Sequence, residues 1–142
     1  MDHSLSHVAR EAGSAAAGLQ VFLEQIPGRD PRIAASIREL LDLESALRTL
    51  NGEWKYRIRY DEMPPTVVAD TDLVLRSLHY TVGALQDMFG QTRFTTYKGA
   101  RPFEAVWEAT NSKFRADEGF SLSARLEMYS VLVKGFIEFL RG

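Results

Sequence analysis

Apolar residues recur at intervals of three and four along almost the whole chain, the spacing that lines up one face of a 3.6-residue helix. Leu5, Val8, Ala12, Ala15, Leu19, Phe22 and Ile26 form the first such stripe. Pro27-Gly28 interrupts it. Asp30-Pro31 then restarts the pattern, with an N-cap acceptor followed by proline at the first helical position. Ile33, Ile37, Leu40, Leu43, Leu47, Leu50 and Trp54 make the second stripe. Gly52 falls inside it, but Trp54 and Ile58 keep the spacing. The helix is therefore expected to run through the glycine, at a cost of about 1 kcal/mol relative to alanine. Pro64-Pro65 ends the element, because proline pushes the residue before it out of the helical region. The stretch 61–69 reads as a linker.

Asp70 or Thr71 is the expected cap of a third helix carrying Leu75, Leu78, Val82, Leu85 and Phe89, with Gly90 at the C-terminal left-handed position. Residues 91–101 read as a loop. Phe103, Val106, Trp107, Thr110 and Phe114 give a fourth helix closed by Gly119. Ser121 or Ser123 caps a fifth, with Leu122, Leu126, Tyr129, Leu132, Phe136 and Leu140 on its apolar face. The pattern thus predicts helices over 4–26, 31–60, 71–89, 102–117 and 121–141. They assemble into an all-α class fold: a compact bundle of about five helices, without a sheet, in a single domain over 1–142. Its core is expected around Leu19, Phe22, Leu40, Leu47, Leu78, Leu85, Trp107, Leu126 and Phe136.

At 142 residues, with 45% apolar and 25% charged residues, the chain can build that core without a metal or disulfide. The 17 basic and 19 acidic side chains nearly cancel, which argues against a general polyanion binder and so against nucleic acid. There is no cysteine, which excludes thiol catalysis, disulfides and thiolate metal sites. No stretch approaches the roughly 20 apolar residues that span a bilayer. The first residues lack the basic-then-apolar pattern of a secretory signal, so the cytoplasm is the expected location.

Candidate chemistry is sparse. His3 and His7 are spaced to share a helix face, half of a metal site, but no third ligand follows at a useful interval. His79, between Leu78 and Tyr80, reads as a packed or half-exposed side chain rather than a general base. Asp70-x-Asp72 opens like a calcium loop but lacks its glycine and closing glutamate, and helix capping accounts for it. Glu39, Asp42 and Glu44 read as a solvated helix face. The glycines match no phosphate-binding spacing. The expectation is no catalytic residues, no metal, no cofactor and no enzyme activity.

One segment is unusual. Trp54-Lys55-Tyr56-Arg57-Ile58-Arg59-Tyr60 alternates aromatic or apolar residues with basic ones. With no second strand-like run to pair with, it reads as the end of the second helix or an extended arm. Packing aromatics with snorkelling basic stems is one account. A partner-binding surface through Trp54, Tyr56, Arg57, Arg59 and Tyr60 is the functional one, because aromatics and Arg dominate interface hot spots. Glu53, Asp61 and Glu62 offset the charge that base stacking would use. Tyr80, Thr81, Trp107, Thr110 and Tyr129 could line a pocket between helices, although core packing also explains them.

The runs Asp72-Leu73-Val74-Leu75-Arg76-Ser77-Leu78-His79-Tyr80-Thr81 and Asp87-Met88-Phe89-Gly90 are distinctive. So are Trp107 and the run Glu118-Gly119-Phe120-Ser121-Leu122-Ser123-Ala124-Arg125-Leu126-Glu127-Met128-Tyr129. Together they resemble a recurrent N-terminal all-helical module of filamentous-fungal proteins, strongest over 70–142. Leu19-Gln20-Val21-Phe22-Leu23 has the same character. The resemblance implies an all-α domain without an assigned catalytic centre, and it carries no functional residue to any position. The expected function is a non-catalytic, adaptor-type protein-interaction module of an intracellular fungal protein, with a protein partner and a possible homo-oligomer. The alternatives are a self-assembling or membrane-perturbing signalling domain, favoured by the small residues of the first stripe, and a small-ligand carrier.

Overall fold

Proline and capping chemistry set the helix boundaries. The computed structural model describes residues 5–25, 31–59, 63–92, 101–118 and 121–142. Five helices occupy them: α1 (Leu5–Glu24), α2 (Pro31–Arg59), α3 (Pro65–Thr92), α4 (Arg101–Glu118) and α5 (Leu122–Arg141). No strand occurs among the described residues. Pro31 opens α2, where its missing N–H costs nothing. Gly52 sits exposed within α2 and the helix passes through it, as the spacing of Trp54 required. Ser121 caps α5, its hydroxyl accepting from the Ala124 N–H at 3.4 Å.

The start of α3 differs from the sequence expectation. Pro65 begins the helix, and the Pro64 carbonyl accepts from the Val67 and Val68 amides at 3.1 and 3.2 Å. Proline here opens a helix, where its missing N–H and fixed φ suit the first position. Asp70 and Thr71 therefore lie inside α3 rather than capping it, and Thr71 is buried. Gly90 also lies within the helix, which ends at Thr92.

Polar contacts define how the helices run. Glu11 meets His79 near the start of α1, and Phe22 meets Phe89 near its end, so α1 and α3 point the same way. Asp42 meets Ser130 and Lys134, and Glu53 meets Arg141, so α2 and α5 also run together. Ser77 and Thr81 of α3 meet Tyr129 of α5, and Thr81 also meets Arg125, so these two helices run in opposite directions. The result is a four-helix bundle with α1–α2, α2–α5, α5–α3 and α3–α1 as its edges. The α3–α5 edge is the lightest. Helix α4 packs at the end where α1 finishes and α2 and α5 begin. Trp107 lies 6.5 Å from the Phe22 ring, Glu108 pairs with Arg32, and the Asn111 side chain accepts from the Leu122 amide.

The core runs through all five helices. Leu19, Phe22, Leu40, Leu47, Leu78, Leu85, Trp107 and Leu126 are buried as expected, and Phe136 is only half-buried against them. Two glycines in α1 permit close packing. A Cβ at Gly13 would run into the Glu44 carboxylate, and one at Gly18 would meet the Phe89 ring, with Cζ at 2.8 Å.

In α5 the inward face is not quite the expected one. Leu122, Leu126, Tyr129 and Leu140 point inward, but Leu132 is exposed, while Val133 and Ile137 are buried. Arg125 and Ser130 are buried with them. The helix is apolar on both sides, so spacing alone does not decide which side faces in.

Candidate functional site

What decides the orientation of α5 is its polar side chains. Toward α3, the Tyr129 hydroxyl lies 2.6 Å from Ser77 Oγ and 2.9 Å from Thr81 Oγ1. Arg125, fully buried, donates from Nη1 to Thr81 Oγ1 at 3.1 Å and places its guanidinium 4.8 Å from the centre of the Phe114 ring. Thr81 in turn donates to the Ser77 carbonyl. Toward α2, Ser130 and Lys134 both donate to one oxygen of Asp42, at 2.8 and 2.7 Å, and Arg141 donates to Glu53 at 3.0 Å. These hydrogen bonds lower the Asp42 pKa, Lys134 first and Ser130 second, and the Lys134 pKa rises through the same bond. Buried polar groups must find partners, so rotating α5 about its axis would strand Arg125 and Tyr129 on one side and Ser130 on the other, whereas the exposed Lys134 and Arg141 would turn to water.

That fixed rotation leaves an apolar face outside. Met128, Val131, Leu132 and Phe139 are exposed; Val131 is 65% and Phe139 62% accessible. At 3.6 residues per turn they share one outer stripe with Ala124 and Gly135, and the stripe holds no charged residue. The exposed charges of α5, Glu127, Lys134, Glu138 and Arg141, fall on the flank toward α2. On the other flank, across the light α3–α5 edge, Leu73 is 63% accessible and Tyr80 is also exposed. The antiparallel register set by Tyr129 puts Leu73 toward the Leu132 end of the face and Tyr80 toward the Met128 end. Scattered surface apolar residues are ordinary, but a continuous charge-free face on a helix already apolar inside sets this surface apart from the others.

The sequence-derived candidates divide. In the 54–60 segment, Trp54 is buried in the core. Arg57 donates to the Leu140 carbonyl in the last turn of α5 and lies 6.0 Å from the Tyr56 ring centre. Tyr56 is exposed, at 57%. The side chain of Arg59 and all of Tyr60 lie outside the described residues. The segment is helix to Arg59, not an extended arm. Of the proposed pocket lining, Thr81 and Tyr129 meet each other, and Thr110 donates to the Val106 carbonyl at 2.9 Å. Trp107 is buried beside Phe22, whereas Tyr80 points to solvent. Four of the five, Thr81, Trp107, Thr110 and Tyr129, are buried, and Tyr80 is exposed.

His79 is exposed and lies 3.0 Å from Glu11, whose carboxylate is 3.5 Å from His7 Nε2. His3 lies outside the described residues. Among the described residues no three His, Asp or Glu side chains converge as a metal-binding group, and no helix is long and apolar enough to cross a membrane. Spacing analysis missed the outer face of α5, although Met128, Val131, Leu132, Gly135 and Phe139 are all visible in sequence as a second apolar stripe.

No family model, curated protein or solved structure matches the chain. The resemblance to the fungal helical module therefore rests on the quoted motifs alone.

Proposed function

We propose that the chain is a non-catalytic protein-interaction module that docks through the outer face of α5 and the adjoining rim of α3. The observation that carries this reading is the charge-free stripe from Met128 to Phe139, held outward by hydrogen bonds on both flanks of the helix. Interfaces favour aromatic and Met side chains and exclude charge from their centre, with a polar rim. The face has Tyr80, Phe139 and Met128, and its rim has Glu127, Lys134 and Glu138. A membrane-surface reading fits less well, because that mode uses a Lys/Arg-rich flank and this flank is mixed in sign. The ligand-carrier reading fits less well, because Tyr80 faces solvent while the other four residues proposed to line the pocket are buried.

The test is affinity capture with the tagged chain, comparing wild type with Val131→Glu/Phe139→Glu. Both positions are exposed, so the helical circular dichroism and thermal midpoint should hold while specific partners are lost. A folded double variant that recovers every partner at wild-type yield would exclude this face.

A further inference from the structure

We infer that a second copy of this chain occupies the α5 face, packed antiparallel about a two-fold axis at Gly135. The inference rests on reading that face as a contact surface. Its basis is a self-complementary pattern. Gly135 is exposed, with open space where a Cβ would stand. Val131 lies one turn before it and Phe139 one turn after it, and these are the two most exposed apolar side chains of the helix. A two-fold interface is isologous: if residue i meets j, then j meets i. An axis at Gly135 therefore sets Val131 of each copy against Phe139 of the other, twice, while the two glycines let the backbones approach.

The rim has the same symmetry. Lys134 and Glu138 lie one turn apart on a single flank of the stripe, both exposed and opposite in sign. The same axis brings Lys134 of one copy beside Glu138 of the other, again twice. Lys134 keeps Asp42 as its intramolecular partner, and an ammonium has three donors to share. A charge-free centre carries no repulsion between identical chains, and a net charge of −2 adds only a small, salt-screened one. The area also fits. From the fractional exposures, the apolar side chains of the face, with Leu73 and Tyr80 of α3 counted in, offer roughly 500 to 700 Å² per copy, near the about 800 Å² per partner of a standard interface once the rim is added. Leu73 of α3 extends the contact beside Leu132, giving an arrangement of α3 and α5 against their symmetry mates.

Sedimentation equilibrium across a dilution series of the full chain tests this. Wild type should pass from dimer to monomer on dilution. Phe139→Glu, and separately Val131→Glu, should raise the dimer dissociation constant at least about tenfold without changing the circular dichroism. The charge-swapped chain Val131→Glu/Phe139→Lys should recover dimer, because the two-fold places the introduced acid of each copy against the introduced base of the other. A wild type that stays monomeric up to about 0.5 mM overturns self-pairing, since no useful affinity lies beyond that. It leaves the docking role of the face to the capture experiment. A dimer indifferent to both single substitutions overturns the proposed face. Single variants that dissociate without rescue by the swap overturn the Gly135 axis.

Discussion

The Tyr129 hydroxyl of α5 lies 2.6 Å from Ser77 Oγ of α3, inside the bundle's lightest edge. With Thr81 as a second partner at 2.9 Å, this contact ties the rotation of α5 to α3 and so determines which apolar face the helix shows to solvent. A hydroxyl thereby specifies what apolar spacing leaves open.

Tyr129→Phe keeps the ring and removes the hydrogen bonds. The expected loss is about 1 kcal/mol, the net worth of a buried neutral hydrogen bond, because Thr81 keeps Arg125 and the Ser77 carbonyl. Urea denaturation should show a lower midpoint at unchanged slope. An unchanged midpoint would mean that the hydroxyl does not hold the edge together.

Glycine replacements should split by site. Gly18→Ala forces a methyl into the Phe89 ring, and overpacking of this kind costs about 1–3 kcal/mol. Gly52→Ala meets nothing within 4 Å on an exposed helix position and should stabilise by about 0.5–1 kcal/mol. Thermal midpoints moving in opposite directions would bear out the close α1–α3 packing. Midpoints rising together would contradict it.

Arg57 and Tyr56 are neighbours with different roles. Arg57→Ala removes a charged donor from the Leu140 carbonyl, one of the end-of-helix acceptors without an intrahelical partner. Its expected cost is about 1–2 kcal/mol in unfolding free energy. Tyr56→Ala, at an exposed position, should stay within about 0.5 kcal/mol of wild type. Chemical denaturation of the two variants compares them directly, and equal effects would contradict the assignment.

These contrasts mark where sequence reasoning succeeds. Stripes separated by Pro27-Gly28, Pro64-Pro65, the stretch 91–101 and Gly119 predict five helices because each has a clear stop. Ser121 is legible as a cap for the same local reason. The start of α3 is misplaced because Pro65 can open a helix or end one, and the choice depends on the Pro64 carbonyl finding the Val67 and Val68 amides. Helix α5 is apolar on two sides, so Leu132 reads as core in sequence. It lies outside because the buried Arg125, Tyr129 and Ser130 find their protein partners in this rotation. The basic and aromatic 54–60 segment draws attention by composition, yet Trp54 and Arg57 serve the bundle itself.

Asp42 carries the acid sensitivity of the α2–α5 edge. Its pKa lies below 3.8 in the fold because Lys134 and Ser130 donate to its charged form. A depressed folded value contributes stability above pH 3.8, and that contribution disappears as pH falls through the folded value. Asp42→Asn should therefore be less stable than wild type at neutral pH, and the gap should close as pH falls below 3.8. Denaturation midpoints of both proteins between neutral and acidic pH would show the convergence. A gap independent of pH would assign the effect to packing instead.

The most direct test of the contact face is hydroxyl-radical footprinting of the full chain at high and low concentration, read at individual side chains. Met128, Phe139 and Tyr80 should label less in the concentrated sample, while Tyr56 on α2 labels equally in both. Protection confined to Tyr56, or full labelling of Phe139 and Met128 at every concentration, would contradict an α5 face that closes on a second copy.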